Sequence, residues 1–134
     1  MSIGYETVVG EIHDQHEDLA RWLGTADAVG ALERFVAQLH PDFSMVTVDG
    51  VLVPRSGLLV GLSGAGHSLP GLMIDITDVE VLADTAESVV ARFREVHHTP
   101  AGPAARWTTA LLLPDPAARN ALSWRSVHET VAAS

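Results

Sequence analysis

Histidine and carboxylate side chains supply most of the chemistry available to this sequence. It contains seven histidines and seventeen Asp or Glu residues, whereas cysteine and lysine are absent and all eight basic residues are arginines. Without cysteine, the chain has no disulfide, no thiolate nucleophile and no Cys-ligated zinc. Without lysine, it has no Schiff-base chemistry and no Walker-type phosphate loop. The composition therefore leaves acid–base or metal chemistry.

The first candidate group lies in the alternating segment Ser88–His98. One face of such a strand carries Val89, Ala91, Phe93, Glu95 and His97, and the other carries Val90, Arg92, Arg94, Val96 and His98. The first face is apolar until its last two members, so we expect it to point inward. Glu95 and His97 would then share a proton near the wide end of a pocket. The alternative is that the second face points inward and that Arg92 and Arg94 line the pocket.

The second candidate group lies in the segment "WRSVHET", Trp124–Thr130. One face of this strand carries Trp124, Ser126, His128 and Thr130, and the other carries Arg125, Val127 and Glu129. Burying a tryptophan is more favourable than burying one valine, so we expect Trp124 and His128 to face inward and Glu129 to face solvent. The alternative is that His128 is a hydrogen-bonded histidine of the core.

A third histidine, His16, lies on the apolar stripe of a predicted helix, where it needs a partner or stays neutral. Together these residues predict an acid–base group in which Glu95 or His128 accepts a proton. In the same group, His16 or His97 donates a hydrogen bond. The predicted ligand-binding lining consists of Trp22, Phe43, Met45, Trp107, Thr109 and Trp124.

A metal site is an alternative interpretation of the same histidines. His13 and His16 stand three residues apart, Glu17 follows His13 by four residues, and His97 and His98 are adjacent. Adjacent residues of a strand point to opposite faces, so the last two cannot bind one ion without a bulge. We therefore expect no metal site and no cofactor.

The elements that position these groups follow from a change in apolar periodicity, from helical near the N-terminus to alternating afterwards. Helices are predicted over Tyr5–Leu23 and over Ser56–Leu62. Between them, a further helix is predicted to begin at a cap on Thr25 or Asp27 and to end before Pro41. Strands are predicted on both sides of an Asp49–Gly50 turn and over Leu72–Leu82, Ser88–His98, Arg106–Leu113 and Leu122–Thr130. Helices followed by an antiparallel meander indicate one α+β domain over residues 1–134.

Four short motifs and this order of elements resemble the nuclear transport factor 2-like superfamily, and within it the small SnoaL-like proteins. The motifs are "PDF" at Pro41–Phe43, "VVARFRE" at Val89–Glu95, "RWTTALLL" at Arg106–Leu113 and "WRSVHET" at Trp124–Thr130. The resemblance implies three helices packed in a strongly curved antiparallel sheet, which forms a cone with a pocket. It also implies a homodimer through the convex face of the sheet.

The same superfamily includes ketosteroid isomerases, polyketide cyclases, dehydratases, transport factors and kinase association domains, so the fold alone does not define the activity. The isomerases use a tyrosine in their oxyanion hole, but the only tyrosine here, Tyr5, lies at the start of the first predicted helix. We therefore expect a pocket for a small apolar organic molecule, with isomerase, cyclase or dehydratase chemistry that needs no cofactor. The alternative is a non-catalytic module for ligand sensing or dimerisation.

Charge and hydropathy restrict the partners and the location of the protein. A formal net charge of −9 disfavours nucleic acid as a partner. No apolar run is long enough to cross a membrane, and the N-terminus lacks the basic and apolar regions of a signal peptide. We therefore expect a cytoplasmic protein that binds neither nucleic acid nor membranes.

Overall fold

The computed structural model describes residues 2–133, which form three helices and six strands. The helices are α1 (Tyr5–Gly24), α2 (Ala31–Ala37) and α3 (Arg55–Ser63). The strands are β1 (Leu39–Val46), β2 (Leu52–Pro54), β3 (Met73–Asp84), β4 (Val89–Thr99), β5 (Gly102–Pro114) and β6 (Leu122–Val131). Within this described range, no helix is both long and apolar enough to span a membrane.

The six strands form one mixed sheet in the order β2-β1-β6-β5-β4-β3. Strand β1 pairs with β6 in parallel, and the remaining neighbours pair antiparallel. The predicted α+β class is confirmed. The expectation of a wholly antiparallel, strongly curved sheet is wrong, because the sheet is mixed and is not strongly curled. The parallel pair joins strands from distant parts of the chain, so no local sequence pattern reveals it.

The helices begin and end close to the predicted positions, with one exception at α2. This helix starts after Gly30, whose φ of 78° is left-handed, and not at a cap on Thr25 or Asp27. Thr25 instead ends α1, because its backbone N–H and its hydroxyl both donate to the Arg21 carbonyl. The predicted Asp49–Gly50 turn is confirmed by the antiparallel pairing of β1 with β2.

A β-bulge interrupts the alternation of β6. Ser126 pairs with Leu111 and Trp124 pairs with Leu112, so Arg125 is an extra residue without a partner on β5. One extra residue shifts the phase of alternation, and side chains that would lie on opposite faces come to share one. Trp124 and Val127 are therefore both buried on the inner face of the sheet, at 2% and 8% exposure.

The apolar core lies between α1 and the inner face of β4, β5 and β6. Its fully buried side chains include Val8, Ile12, Val89, Phe93, Leu112 and Leu122. The two α1 residues among them follow a helical spacing, and the two β4 residues alternate with neighbours that are less buried. This packing presses one face of α1 against the strands that carry the polar residues described below.

A network of charged and polar side chains ties the connection between β5 and β6 to α1. It consists of Glu11, Gln15, Asp18, Arg34, Arg119, Asn120 and Trp124, and we call it the Arg119 network. Arg119 contacts both carboxylate oxygens of the fully buried Glu11, at 3.0 and 3.3 Å, and donates to Asp18 at 2.7 Å. The indole of Trp124 donates to Glu11 at 2.7 Å, which holds β6 against the helix.

Candidate functional site

A cavity of about 310 Å³ lies between the helices and the inner face of the sheet. Most of its lining is apolar and includes Leu19, Leu23, Phe43, Met45, Leu58 and Leu62. Gln15, whose side chain belongs to the Arg119 network, reaches the cavity, and six further polar side chains do so as well. These are His16, Glu95, His97, Arg106, Thr108 and Glu129, which we call the polar end. A mostly apolar cavity with a few convergent polar groups is typical of small-molecule sites.

Strand register brings the polar end together. Glu95 of β4 lies opposite Arg106 of β5, and Thr108 of β5 lies opposite Glu129 of β6. Directly opposite residues of antiparallel strands point to the same face, so all four side chains face inward. Two diagonal hydrogen bonds connect the pairs, from Thr108 to Glu95 at 2.5 Å and from Arg106 to Glu129 at 3.2 Å.

Glu95 is the centre of the polar end and is only 2% exposed. His97 Nε2 lies 2.9 Å from one carboxylate oxygen, and His16 Nε2 lies 3.3 Å from the other. The Thr108 hydroxyl donates to that second oxygen. Burial opposes ionisation, but the charge of His16 and these three hydrogen bonds together lower the pKa of Glu95 far below its ordinary value. Glu95 is therefore an ionised carboxylate with its acceptor capacity largely committed.

Two neighbours of His16 favour its protonated form. Its Nδ1 lies 2.7 Å from the Ile12 carbonyl, which can only accept, so Nδ1 carries a proton. A neutral ring would then present the lone pair of Nε2 to the Glu95 carboxylate, whereas an imidazolium donates to it. Burial lowers the pKa of His16, but the charge and hydrogen bond of Glu95 and the bond to Ile12 raise it above its ordinary value. His16 and Glu95 thus form a buried ion pair.

Glu129 is the second carboxylate of the cavity, and its surroundings act in the opposite direction. Burial and the negative charge of Glu95 raise the pKa of Glu129, and Arg106 and His97 offset this only in part. The side chain of Glu129 is 10% exposed and that of Arg106 is 24% exposed. One cavity therefore holds one carboxylate that resists protonation and one that favours it.

Comparison with solved structures shows the family of this protein. No protein-family model matches the chain, and no curated protein matches it. A crystal structure of an NTF2-like protein of unknown function from Pseudomonas aeruginosa is 31% identical. The match covers 95% of this chain and 99% of that one, with a TM-score of 0.88. The chain belongs to the NTF2-like family.

More distant NTF2-like folds show the same architecture at low sequence identity. A ketosteroid isomerase-like protein from Erwinia carotovora is 12% identical over 96% of each chain, with a TM-score of 0.66. The CaMKII hub of S. rosetta is 14% identical over 95% of each chain, with a TM-score of 0.72. At such identities these two structures support the fold alone.

Several predicted orientations are confirmed in this NTF2-like structure. Glu95 and His97 lie on the inner face of β4, while Arg92 lies on the outer face, where it pairs with Glu80. Trp124 lies inside and its ring packs edge-on near His16, with centroids 6.1 Å apart. Phe43 and Met45 also line the cavity as predicted.

The predicted orientation of His128 is wrong. His128 is exposed on the outer face of the sheet, and Glu129, which was expected in solvent, lies inside. The bulge at Arg125 causes this exchange, because it reverses the alternation after Trp124. Glu95 and His128 therefore do not share a cavity.

Three predicted lining residues lie elsewhere. Trp107 and Thr109 occupy the outer face of β5, next to His128, because they alternate with inward-facing residues. The Trp22 indole donates to the Leu62 carbonyl at 2.8 Å and packs beside Gly66, where a Cβ atom would lie 2.8 Å from the ring. Trp22 thus fixes the loop after α3 and is not among the residues that line the cavity.

The histidines considered for a metal site do not converge. His13 and Glu17 are exposed on α1, whereas His16 is buried against Glu95, and His98 points outward to Asp75. Among residues 2–133, no group of three or more histidine, aspartate or glutamate side chains could hold a metal ion.

Sequence reasoning missed Arg106, Thr108 and Glu129 as parts of the site. Arg106 and Thr108 share one face of an alternating strand with Ala110 and Leu112, and this pattern alone could have placed them inside. The position of Glu129 could not have been found in this way, since nothing in the sequence of β6 marks the bulge.

Proposed function

We propose that this NTF2-like protein binds a small, largely apolar organic molecule in its cavity and transforms it by acid–base chemistry without a cofactor. The reaction classes that fit are isomerisation, cyclisation and dehydration, each of which moves a proton on carbon or oxygen. One observation carries the proposal. Glu95 and Glu129 line the same apolar cavity, and their environments shift their pKa values in opposite directions. Separated pKa values of this kind distinguish the proton-transfer group from the charged support.

In this proposal Glu129 exchanges the proton with the bound molecule. Its raised pKa brings it closer to neutral pH, and within residues 2–133 only one of its carboxylate oxygens has a hydrogen-bond partner. Glu95 stays ionised and orients His97, whose Nε2 it holds, so that the other ring nitrogen is free for the ligand. His16 supports Glu95, because both of its ring nitrogens are already engaged.

A co-purifying ligand tests this function directly. We expect native mass spectrometry of the purified protein to detect a small organic molecule that is released on denaturation. Incubated with protein in deuterated water, the released molecule should exchange a proton with the wild type and much more slowly with Glu129→Gln. The matched control is Glu87→Gln, at an exposed turn between β3 and β4. If the wild type and both variants bind the molecule but none of them exchanges its proton, ligand sensing is favoured over catalysis.

A non-catalytic module that dimerises through the outer face of the sheet is the second candidate. Its support is a pocket on that face, whose lining includes Val90, Leu111, His128 and the 37% exposed Trp107. We expect light scattering to find a homodimer that Trp107→Asp converts to a monomer. The control Val60→Asp, at an exposed apolar residue of α3, should leave the dimer intact. A monomeric wild type would exclude this assembly.

A further inference from the structure

Hydrogen-bond donors at the polar end are committed to very different degrees. Both ring nitrogens of His16, the Thr108 hydroxyl and His97 Nε2 all engage the protein itself. The Arg106 guanidinium has five N–H donors, yet within residues 2–133 its side chain makes one hydrogen bond, from Nη1 to Glu129. Arg106 is therefore the cation of the cavity with the most donor capacity left.

The present partner of Arg106 is a weak one. Glu129 contacts it through one nitrogen and one oxygen at 3.2 Å, and not through the two parallel bonds that a guanidinium can make. Arg119 of the same chain contacts both oxygens of Glu11. Burial and Glu95 also disfavour the charge of Glu129. Within residues 2–133, Glu129 thus uses one of the five N–H donors of Arg106 and leaves the other four without a side-chain partner.

We propose that the ligand carries a carboxylate, that Arg106 binds this carboxylate through its free N–H groups, and that Glu129 takes up one proton from solvent as the ligand binds. The inference rests on the proposed function, since it assigns a chemical class to the ligand of that same cavity. It makes Glu129 a neutral acid beside the bound molecule.

Charge balance supports the coupled proton. With His97 counted as neutral, the polar end without ligand holds two cations, His16 and Arg106, and two anions, Glu95 and Glu129. An added carboxylate would leave a net negative charge in a largely apolar cavity, which is strongly unfavourable. One proton on Glu129 restores neutrality, and Glu95 cannot take it because its acceptors are held by three donors.

The pH dependence follows from the groups that face Glu129, which are Arg106 on β5, Glu95 and His97 on β4, and His16 on α1. The protonated form of Glu129 binds the carboxylate, so affinity is highest where that form is populated. As the pH rises above the pKa of Glu129, affinity should fall by about tenfold per pH unit, as uptake of one proton requires. A neutral ligand should show no such slope.

Calorimetric titration with octanoate and octanamide tests the inference, because the two probes share an apolar chain and differ in charge. Titrations run from about pH 6 to about pH 8, where octanoate is largely ionised, in buffers of different ionisation enthalpy. We expect octanoate to bind at least about tenfold more tightly than octanamide near the lower limit, with proton uptake. Glu129→Gln should keep the preference for octanoate and lose both the uptake and the pH slope.

Arg106→Gln should lose the preference for octanoate while octanamide binding persists, and the outer-face control Arg92→Gln should behave as wild type. Thermal unfolding of each variant separates loss of binding from loss of structure. If octanamide binds as tightly as octanoate, or octanoate binds without proton uptake, the inference is wrong and the pocket function stands. If neither probe binds and the tryptophan fluorescence does not change, the pocket function and the inference both fail.

Discussion

Two buried charged networks meet at Trp124, which belongs to the Arg119 network and packs near His16 of the polar end, and they differ in how completely their donors are used. In the Arg119 network, one guanidinium makes four hydrogen bonds, to Glu11 twice, to Gln15 and to Asp18. At the polar end, Arg106 makes one. Both networks contain a glutamate that is essentially excluded from solvent, at 0% for Glu11 and 2% for Glu95.

This difference separates a structural network from a candidate site. A fully satisfied buried network fixes the elements that it joins, and it has nothing left to offer a ligand. A network with unused donors beside an apolar cavity has that capacity. Both networks would look alike in a list of buried charges, so the use of each donor, and not burial, distinguishes them.

The largest expected effect is on the Arg119 network. Arg119→Met leaves Glu11 as an uncompensated buried charge, so we expect it to destabilise the fold by about 3–5 kcal/mol. Arg21→Met, which breaks an exposed pair with Glu17, should cost less than about 1 kcal/mol. Chemical denaturation measures both. A small loss for Arg119→Met would mean that the network does not hold β6 to α1.

A smaller loss is expected from Glu95→Gln, which removes the anion from His16 but retains a polar group for Thr108. We expect destabilisation of roughly 2–3 kcal/mol, since the neutral amide leaves no buried charge of its own. The pKa of His16 should fall, because burial then acts against only the Ile12 hydrogen bond and the charge of Glu129. Imidazole proton resonances report this shift, and an unchanged His16 would contradict the ion pair.

The ion pair of His16 and Glu95 should also affect the pH dependence of stability, with a still smaller change in the free energy of unfolding. A raised pKa of His16 stabilises the fold below the unfolded value of about 6.5, and this stabilisation is lost as the pH rises through the folded value. The lowered pKa of Glu95 acts in the opposite sense, since its stabilisation is lost as the pH falls below about 4.3. From this pair we expect the greatest contribution to stability between these limits, with a loss on the order of 1 kcal/mol per pH unit as the pH rises above the upper limit. Glu95→Gln should flatten the upper slope.

Much of the fold and part of the site could be predicted from local periodicity. The inner face of β4 is apolar up to Glu95, which made its orientation and that of His97 predictable. The helix that carries His16 has a clear apolar stripe, so its burial was predictable too. These are positions where one alternating or helical pattern decides the outcome.

The remaining features depend on contacts between distant parts of the chain. The bulge at Arg125 depends on pairing with β5 and places Glu129 inside, whereas simple alternation placed His128 there. Arg119 lies in a connection and finds its partners on α1, more than one hundred residues away in the sequence. Loop residues have no periodicity from which such contacts can be predicted.

Carboxyl carbon resonances of Glu129 and Glu95, followed across pH in one ¹³C-labelled sample, test the central claim most directly. Glu129→Gln and Glu95→Gln assign the two signals. The structure predicts that Glu129 titrates at a higher pH than an ordinary glutamate, because burial and the charge of Glu95 raise its pKa. It also predicts that Glu95 stays ionised at acidic pH, because His16 and the hydrogen bonds of its neighbours lower its pKa. If Glu129 titrates at or below the ordinary value, it is not the group that exchanges a proton in this cavity.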